Sequence, residues 1–286
     1  MISIIIVNYN VSKYLQSCID SIYDSEINSP FELIVVDNNS TELLDIQLLR
    51  NNKSDNFKFI QLDDNLGFAK AVNHAIVKSS GSEILLLNPD TLVDKNTVQL
   101  LVDYIRSKDD VGVVGCKVIS PSGKYQMSSK RHFPTIGIAL TKLFKLDRLF
   151  PKNRYFGKYN YTYLNHDSLA YVDSVSGACM MFKKNIFEDV GPLDENFFLY
   201  FEDTDFCYRL LKKQYKVVYN PNCKIVHYKR ESFKNSNFSV NLEFYKSLYV
   251  FYNKYIDDYK NNYFIKVMFK YILLFYISLL NLFSRK

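Results

Sequence analysis

The sequence predicts an α/β fold built on a doubly wound, mostly parallel sheet flanked by helices, and two patterns carry that reading. Five short apolar runs, "ISIIIV" (2–7), "FELIVV" (31–36), "FKFI" (57–60), "EILLL" (83–87) and "VGVVGCKVI" (111–119), alternate with helix-length segments. Continuous β-branched runs of this kind suit strands buried on both faces, as in a parallel sheet covered by helices. Polar segments follow the runs: "NYN" (8–10), "DNNS" (37–40), "DDNLGF" (63–68) and "NPD" (88–90). Ligands of such sheets sit beyond the carboxyl ends of the strands, so these segments are expected to converge on one edge.

Taken in order, "MISIIIVNYN" has no basic leader and no small-residue cleavage site, so it reads as a first strand and not as a signal peptide. Beyond residue 119, "SPSG" (120–123) is a turn. Residues 124–170 are irregular, basic and aromatic, and read as an inserted substrate-facing region. Lys130, Arg131 and the aromatic stretch from Tyr155 to Tyr163 are either contacts to a diphosphate or acceptor, or a solvated basic loop. A strand at 175–182, a helix over about 203–213, strands near 216–219 and 223–228 and a helix over about 240–257 complete the body. The expected organisation is a nucleotide-binding half over 1–119, an acceptor and catalytic half over 120–235, and a C-terminal helical extension over 236–286. The tail 262–286 holds an uncharged run of 13 residues from Tyr271 to Phe283, short of the ~20 needed for a span. With Lys266, Lys270, Arg285 and Lys286 at its margins, it reads as an amphipathic helix in the membrane interface. The alternative is a helix packed on the core or on a second copy of the chain, in a homodimer.

The net charge of +6, from 36 basic and 30 acidic residues, suits an anionic ligand or membrane surface and gives no indication of nucleic acid. Five cysteines, odd in number, widely spaced and without a C-x-x-C pair, argue against a disulfide framework or zinc site and fit a reducing cytoplasm.

The strand ends carry the chemistry. Asp37 follows a buried strand, with Asn38, Asn39 and Ser40 as turn or cap residues. An acceptor-only carboxylate there can bind a base N–H or a ribose hydroxyl, or simply close the turn. In "NPD" the Asn-Pro step forces a sharp exit and turns Asp90 back over the strand end. One such carboxylate suffices for magnesium or manganese on a diphosphate, since phosphate oxygens and water complete the octahedron. His227, one of 4 histidines, is a candidate manganese ligand or a structural residue. In "YFEDTDFCYRLL" a helix beginning near Asp203 puts Phe206, Cys207, Leu210 and Leu211 on one face with Asp203 at its middle. Glu202 and Asp205 then fall toward the polar side, within reach of Arg209 and Lys213. The inward Asp203, kept ionised by the helix N-terminus, is the candidate general base.

In this order, "IIIVNYN", "IVVDNNS", "NLGFAKAVNHAI", "LLLNPD", "SGACMMF", "GPLDENFFLYFEDTDFCYRL" and "IVHYKRES" resemble family 2 glycosyltransferases of the GT-A fold, in their bacterial rhamnosyltransferase-like branch. The resemblance covers roughly residues 2–230. It implies that Asn8, Tyr9, Asn10, Asp37 and Asn39 surround the nucleoside of a nucleotide-sugar donor, and that Asn65, Gly67, Phe68 and Asn73 shape the ribose and diphosphate edge. It implies that Asp90 is the last aspartate of a D-x-D-like metal motif in which Asn88 replaces the first acid, and that His227 completes the metal shell or contacts the diphosphate. Asp203 matches the catalytic base, and the implied cofactor is Mg2+ or Mn2+. The implied reaction is inverting transfer from a dTDP-rhamnose or UDP-hexose type donor to a cell-surface glycan or lipid-linked acceptor, at the inner face of the cytoplasmic membrane. Ala71 and Val72 depart from the branch's usual G-N-N ending before Asn73. Two rivals are a nucleotidyltransferase, whose Gly-rich basic loop "VNYNVSKYL" lacks, and a non-catalytic sugar-binding assembly subunit.

Overall fold

The computed structural model describes residues 1–46, 49, 56–228, 240–258 and 263–284. The first half runs β1 (Ile2–Asn8), α1 (Ser12–Tyr23), β2 (Phe31–Asp37), β3 (Phe57–Gln61), α2 (Phe68–Lys78), β4 (Glu83–Leu87), β5 (Thr91–Val93), α3 (Thr97–Arg106) and β6 (Val111–Ile119). The second half runs β7 (Lys130–Arg131), α4 (Ile136–Leu143), α5 (Leu146–Leu149), β8 (Ala170–Tyr171), β9 (Ser174–Val175), β10 (Cys179–Lys183), α6 (Lys184–Val190), α7 (Glu202–Lys212), β11 (Lys216–His227), α8 (Val240–Tyr255) and α9 (Tyr263–Ser284).

Period-two alternation distributes the strand residues between two cores. Ile4, Ile6, Leu33 and Val35 pack under α1 and α3, whose Leu15, Ile19, Leu101 and Val102 recur at helical spacing. Ile5, Val7, Ile34 and Val36 pack on the opposite face, against Ala71, Val72 and Ala75 of α2 and Phe206 of α7. With both faces covered, the strand sequences have no polar register to keep.

The sheet order is β3-β2-β1-β4-β10-β6-β11-β5, with β8 pairing β11. The β3-β2-β1-β4 and β6-β11 pairings are parallel, while β10 inserts antiparallel between β4 and β6. Register sets Asn8 opposite Asp37 and Asp37 opposite Gln61, with Leu87 opposite Ile6. Chain order reverses direction between β1 and β4, so Asn8 and Asn88 flank a topological switch point, where open α/β sheets bind ligands.

Several local readings change. The strand read over 175–182 is two strands, β9 and β10, separated by the "SGA" segment. The two strands read at 216–219 and 223–228 are one, β11, whose register shifts between Asn220 and Lys224 around Pro221; proline is tolerated in a strand at such an irregularity. Within the irregular region lies an eight-residue helix, α4. Its Ile136 joins Phe197, Phe201, Tyr208, Leu248, Phe251, Tyr252, Phe269 and Leu273 in a third core that binds α8 and α9 to α7.

α9 is longer than its uncharged run. It continues back through Lys270 and Lys266 to span 22 residues, and Tyr263–Leu282 is long and apolar enough by length and composition to cross a membrane. Arg285 and Lys286 lie outside the described residues.

Candidate active site

At the carboxyl ends of β1 and β2 the polar side chains are tied into one network. Asp37, 2% exposed, accepts from Asn8 Nδ2 (2.7 Å) and Ser40 Oγ (2.6 Å) on Oδ1, and from Ser40 N (2.9 Å) and Gln61 Nε2 (2.9 Å) on Oδ2. Four donors meet the acceptor capacity of an ionised carboxylate. Asn8 Oδ1 is buried without a partner. Asn10, at φ +55°, accepts on Oδ1 from Thr41 N at 2.8 Å, joining the β1 and β2 exits; Tyr9 beside it is half-buried and Asn39, at φ +60°, is exposed.

Asn38 holds the next segment, donating to Asn65 Oδ1 (2.8 Å) and accepting from Leu66 N (2.9 Å). Gly67 sits at φ +81° with Phe198 O only 2.6 Å from where a Cβ would stand, and Phe68 N donates to that same oxygen at 2.9 Å. No other residue fits so close an approach at positive φ. Asn73, one and a half turns into α2, engages Leu193 through both amide atoms (2.8 and 3.0 Å) and donates to Glu195 Oε1 at 3.1 Å. Gly67, Phe68 and Asn73 thus bind the first half of the chain to the segment that leads into α7.

Asn88, Asp90 and His227, far apart in sequence, meet at the switch point because β5 pairs antiparallel with the end of β11, setting Thr91 opposite His227. His227 Nε2 lies 3.2 Å from Asp90 Oδ1 and 3.4 Å from Asn88 Nδ2. Asp90 and His227 are 3% and 8% exposed, and His227 Nδ1 has no partner. The donor set fits a divalent ion: two adjacent ligands of an octahedron with bonds of about 2.1 Å stand about 3 Å apart, and one carboxylate with one imidazole leaves positions for phosphate oxygens. Among the described residues no group of three or more His, Cys, Asp or Glu forms a complete protein cage.

α7 begins abruptly. Tyr200 and Phe201 both adopt left-handed φ (+67° and +69°), a conformation that costs non-glycine residues and recurs at functional sites. Asp203 is buried, as expected from its phase: Oδ2 accepts from Arg131 Nη2 (2.6 Å) and Gly177 N (2.8 Å), and Oδ1 from Thr204 Oγ1 (3.1 Å). Its neighbours correct the polar-side reading. Glu202 is 6% exposed with Oε2 unpartnered, and burial together with the Asp203 charge pushes its carboxyl up to about 8. Asp205, fully buried, does pair with Arg209 (2.8 Å), but also with Lys254 Nζ (2.6 Å) and Tyr255 Oη (2.7 Å) of α8, whereas Lys213 pairs with Asp189. The face that helical phase leaves to solvent is covered by α8.

The "SGA" segment joins the two halves of the site. Ala178 O accepts from Asn88 N at 3.0 Å, and the adjacent Gly177 N donates to Asp203. A matching profile for glycosyl transferase family 2 covers residues 3–191. The chain belongs to glycosyl transferase family 2. Its relatives include the N-acetylglucosaminyl-diphospho-decaprenol L-rhamnosyltransferase of Mycobacterium tuberculosis, 24% identical over 88% of this chain and 83% of that one. The low-salt glycan biosynthesis hexosyltransferase Agl10 of Haloferax volcanii is 26% identical over 79% of this chain and 65% of its own. The mannosyltransferase PcManGT of Pyrobaculum calidifontis, solved with GDP-Man and Mn2+, shares the fold at a TM-score of 0.62 and 16% identity, over 99% of this chain and 71% of that one. The GT-A-type architecture and the glycosyltransferase class expected from the ordered motifs are therefore those of this chain.

Sequence reasoning reads Asn38 only as a turn or cap residue and weighs Arg131 between a diphosphate or acceptor contact and a solvated loop, missing its pairing with Asp203. The solvated basic loop is overturned: Lys130 is 0% exposed, donates to Asn165 O at 3.0 Å and lies 4.6 Å from the Tyr219 ring centre, while Arg131 is ion-paired with Asp203. Two adjacent basic residues give no local signal of burial. That signal lies in the β7–β9 pairing, which a two-residue strand is too short to announce.

Proposed function

We propose that this glycosyltransferase moves a sugar from a nucleotide-sugar donor, of the dTDP-rhamnose or UDP-hexose type, to a hydroxyl of a lipid-linked or cell-surface glycan acceptor. The observation that carries the reading is the Gly177–Ala178 link, which connects a buried carboxylate through two backbone hydrogen bonds to the Asn88–Asp90–His227 cluster at the switch point. In an inverting single displacement the acceptor O–H loses its proton to Asp203 as its oxygen bonds to the anomeric carbon. The bond from that carbon to the diphosphate oxygen breaks, and the nucleoside diphosphate leaves with the electron pair. Asp90 and His227 would hold a divalent ion, which supplies charge neutralisation at the departing diphosphate. Asn8, Tyr9, Asn10, Asp37 and Asn39 surround the nucleoside, and Asn65, Gly67, Phe68 and Asn73 shape the ribose and diphosphate edge. Orientation by these groups supplies much of the rate, since a general base accounts for only about 10²–10⁴-fold.

A panel of nucleotide sugars, with transfer or donor hydrolysis as readout, tests the reading. Release of a nucleoside diphosphate supports it, release of pyrophosphate would mark a nucleotidyltransferase, and no turnover with any donor a binding subunit. Asp90→Ala should weaken metal-dependent nucleotide binding by at least about 10-fold, as loss of metal-site groups does. Equal donor affinity with and without Mn2+ in the wild type would remove the metal assignment.

α9 supports a membrane-side acceptor. Phe269 and Leu273 are buried against α8, while Phe264, Met268, Tyr271, Phe275 and Leu282, at helical spacing, stay exposed on another face. An amphipathic helix with aromatic residues on its exposed face and lysines at one end lies in the interface of an anionic membrane. Deleting the chain after residue 262 is expected to move the protein from sedimenting vesicles to the supernatant; identical partitioning of both forms would make the helix purely structural.

A further inference from the structure

We propose that Arg131 positions the catalytic base: with the Gly177 N–H it fixes Asp203 through Oδ2 and leaves Oδ1 as the oxygen that takes the acceptor proton. The inference rests on the reading of Asp203 as the base. β7 pairs with β9 in a two-stranded ribbon that sets Arg131 opposite Ser174 and delivers its guanidinium to α7. Nη2 lies 2.6 Å from Asp203 Oδ2 and 2.8 Å from Val175 O, and both charged side chains are largely buried, at 14% and 9% exposure. An anion so buried needs a partner, and among the described residues Arg131 is the cation bonded to it.

The two carboxylate oxygens are unequal. Oδ2 receives a charge-assisted bond and a backbone N–H, while Oδ1 receives one longer bond from Thr204 Oγ1 at 3.1 Å. Gly177 leaves room for this, since a Cβ there would stand 3.3 Å from Oδ2, a tight contact. Proton affinity is lower at the oxygen already bound to a cation, so the acceptor O–H bond breaks as a new bond forms at Oδ1. The other titratable groups facing Asp203 are Glu202 and Cys207 on α7 and Tyr159 on the segment before β8. Removing a cation from beside a carboxylate disfavours its charged form, whereas removing packing alone does not, and that difference separates a positioning role from a packing role.

The test is kcat and donor KM against pH for Arg131→Met and Arg131→Lys, each also made in a Glu202→Gln background to remove that titration. Arg131→Met is expected to lower kcat about 10–100-fold at pH 7 with donor KM within about 3-fold, and to move the acidic limb of kcat up by about 1–2 pH units. Arg131→Lys should return the limb to its wild-type position while recovering only part of kcat, because an ammonium keeps the charge but not the planar fork. An unmoved limb in Arg131→Met, whether kcat is normal or falls only with the folded fraction measured by circular dichroism, overturns the proposal. If the methionine variant does not fold, the lysine variant decides: wild-type kcat overturns the proposal and reduced kcat with an unmoved limb sustains it. Turnover retained by Asp203→Asn would instead remove the base assignment itself.

Discussion

Asp203→Asn is expected to lower kcat by about 10²–10⁴-fold while donor affinity stays within about 3-fold of wild type. The amide is the same size: its one oxygen, at the Oδ2 position, keeps the bonds from Arg131 and Gly177 N, and its NH2, at the Oδ1 position, can donate to Thr204 Oγ1, but an amide does not take up the acceptor proton as a carboxylate does. Donor binding is expected to be spared because the residues proposed to hold the donor, Asp37, Asn8, Asp90 and His227, lie on other elements. A kcat within about 10-fold of wild type would end the assignment. Glu202→Gln is the internal contrast. The raised Glu202 carboxyl keeps its proton to about 8 in the folded protein, against 4.5 when free, so wild-type stability from this group is full below pH 4.5 and is lost as pH rises toward 8. The glutamine variant lacks that titration, and its melting temperature relative to wild type should climb between pH 5 and 8 and level off above. A constant difference across that range would mean that Glu202 is ionised throughout.

Asp205→Ala is expected to cost about 3 kcal/mol of folding stability, the low end of the ~3–5 kcal/mol typical of breaking a buried ion pair. The low end applies because the partners keep other bonds: Arg209 to Val190, Gly191 and Pro192 carbonyls, and Lys254 to Asp194 at 2.6 Å. What is lost is the joint between α7 and α8, since Tyr255 Oη and Lys254 Nζ both end on Asp205 Oδ1. At roughly 2–4 °C per kcal/mol for larger chains, melting should fall by about 6–12 °C by circular dichroism. A shift under about 2 °C would show that α8 is held without this ion pair, by aromatic contacts such as Phe251 with Tyr208 and Phe244 with Phe201.

Much of the fold was readable because strands buried on both faces leave a signature in composition: β1, β2 and β4 are nearly continuous apolar runs, and each ends in the polar residues that the parallel register then brings level. Asp203 was readable too, because its own helix carries the apolar face that defines inward. Helical phase fails for Glu202 and Asp205 in the same helix. It reports the face that one core requires, and α7 meets two, the second supplied by α8 from 49 residues further on.

The chain by itself determined the alternating α/β order, the polar strand ends and the inward carboxylate, all set by periodicities of two and 3.6 within about a dozen residues. Only the tertiary structure decided that His227 meets Asn88 across 139 residues, that Arg131 meets Asp203 across 72, and that the acids of "FEDTD" are all enclosed. Local pattern encodes how each segment divides its faces between oil and water. Which charge is placed against which depends on strand pairings that bring distant segments together, and no local periodicity records that choice.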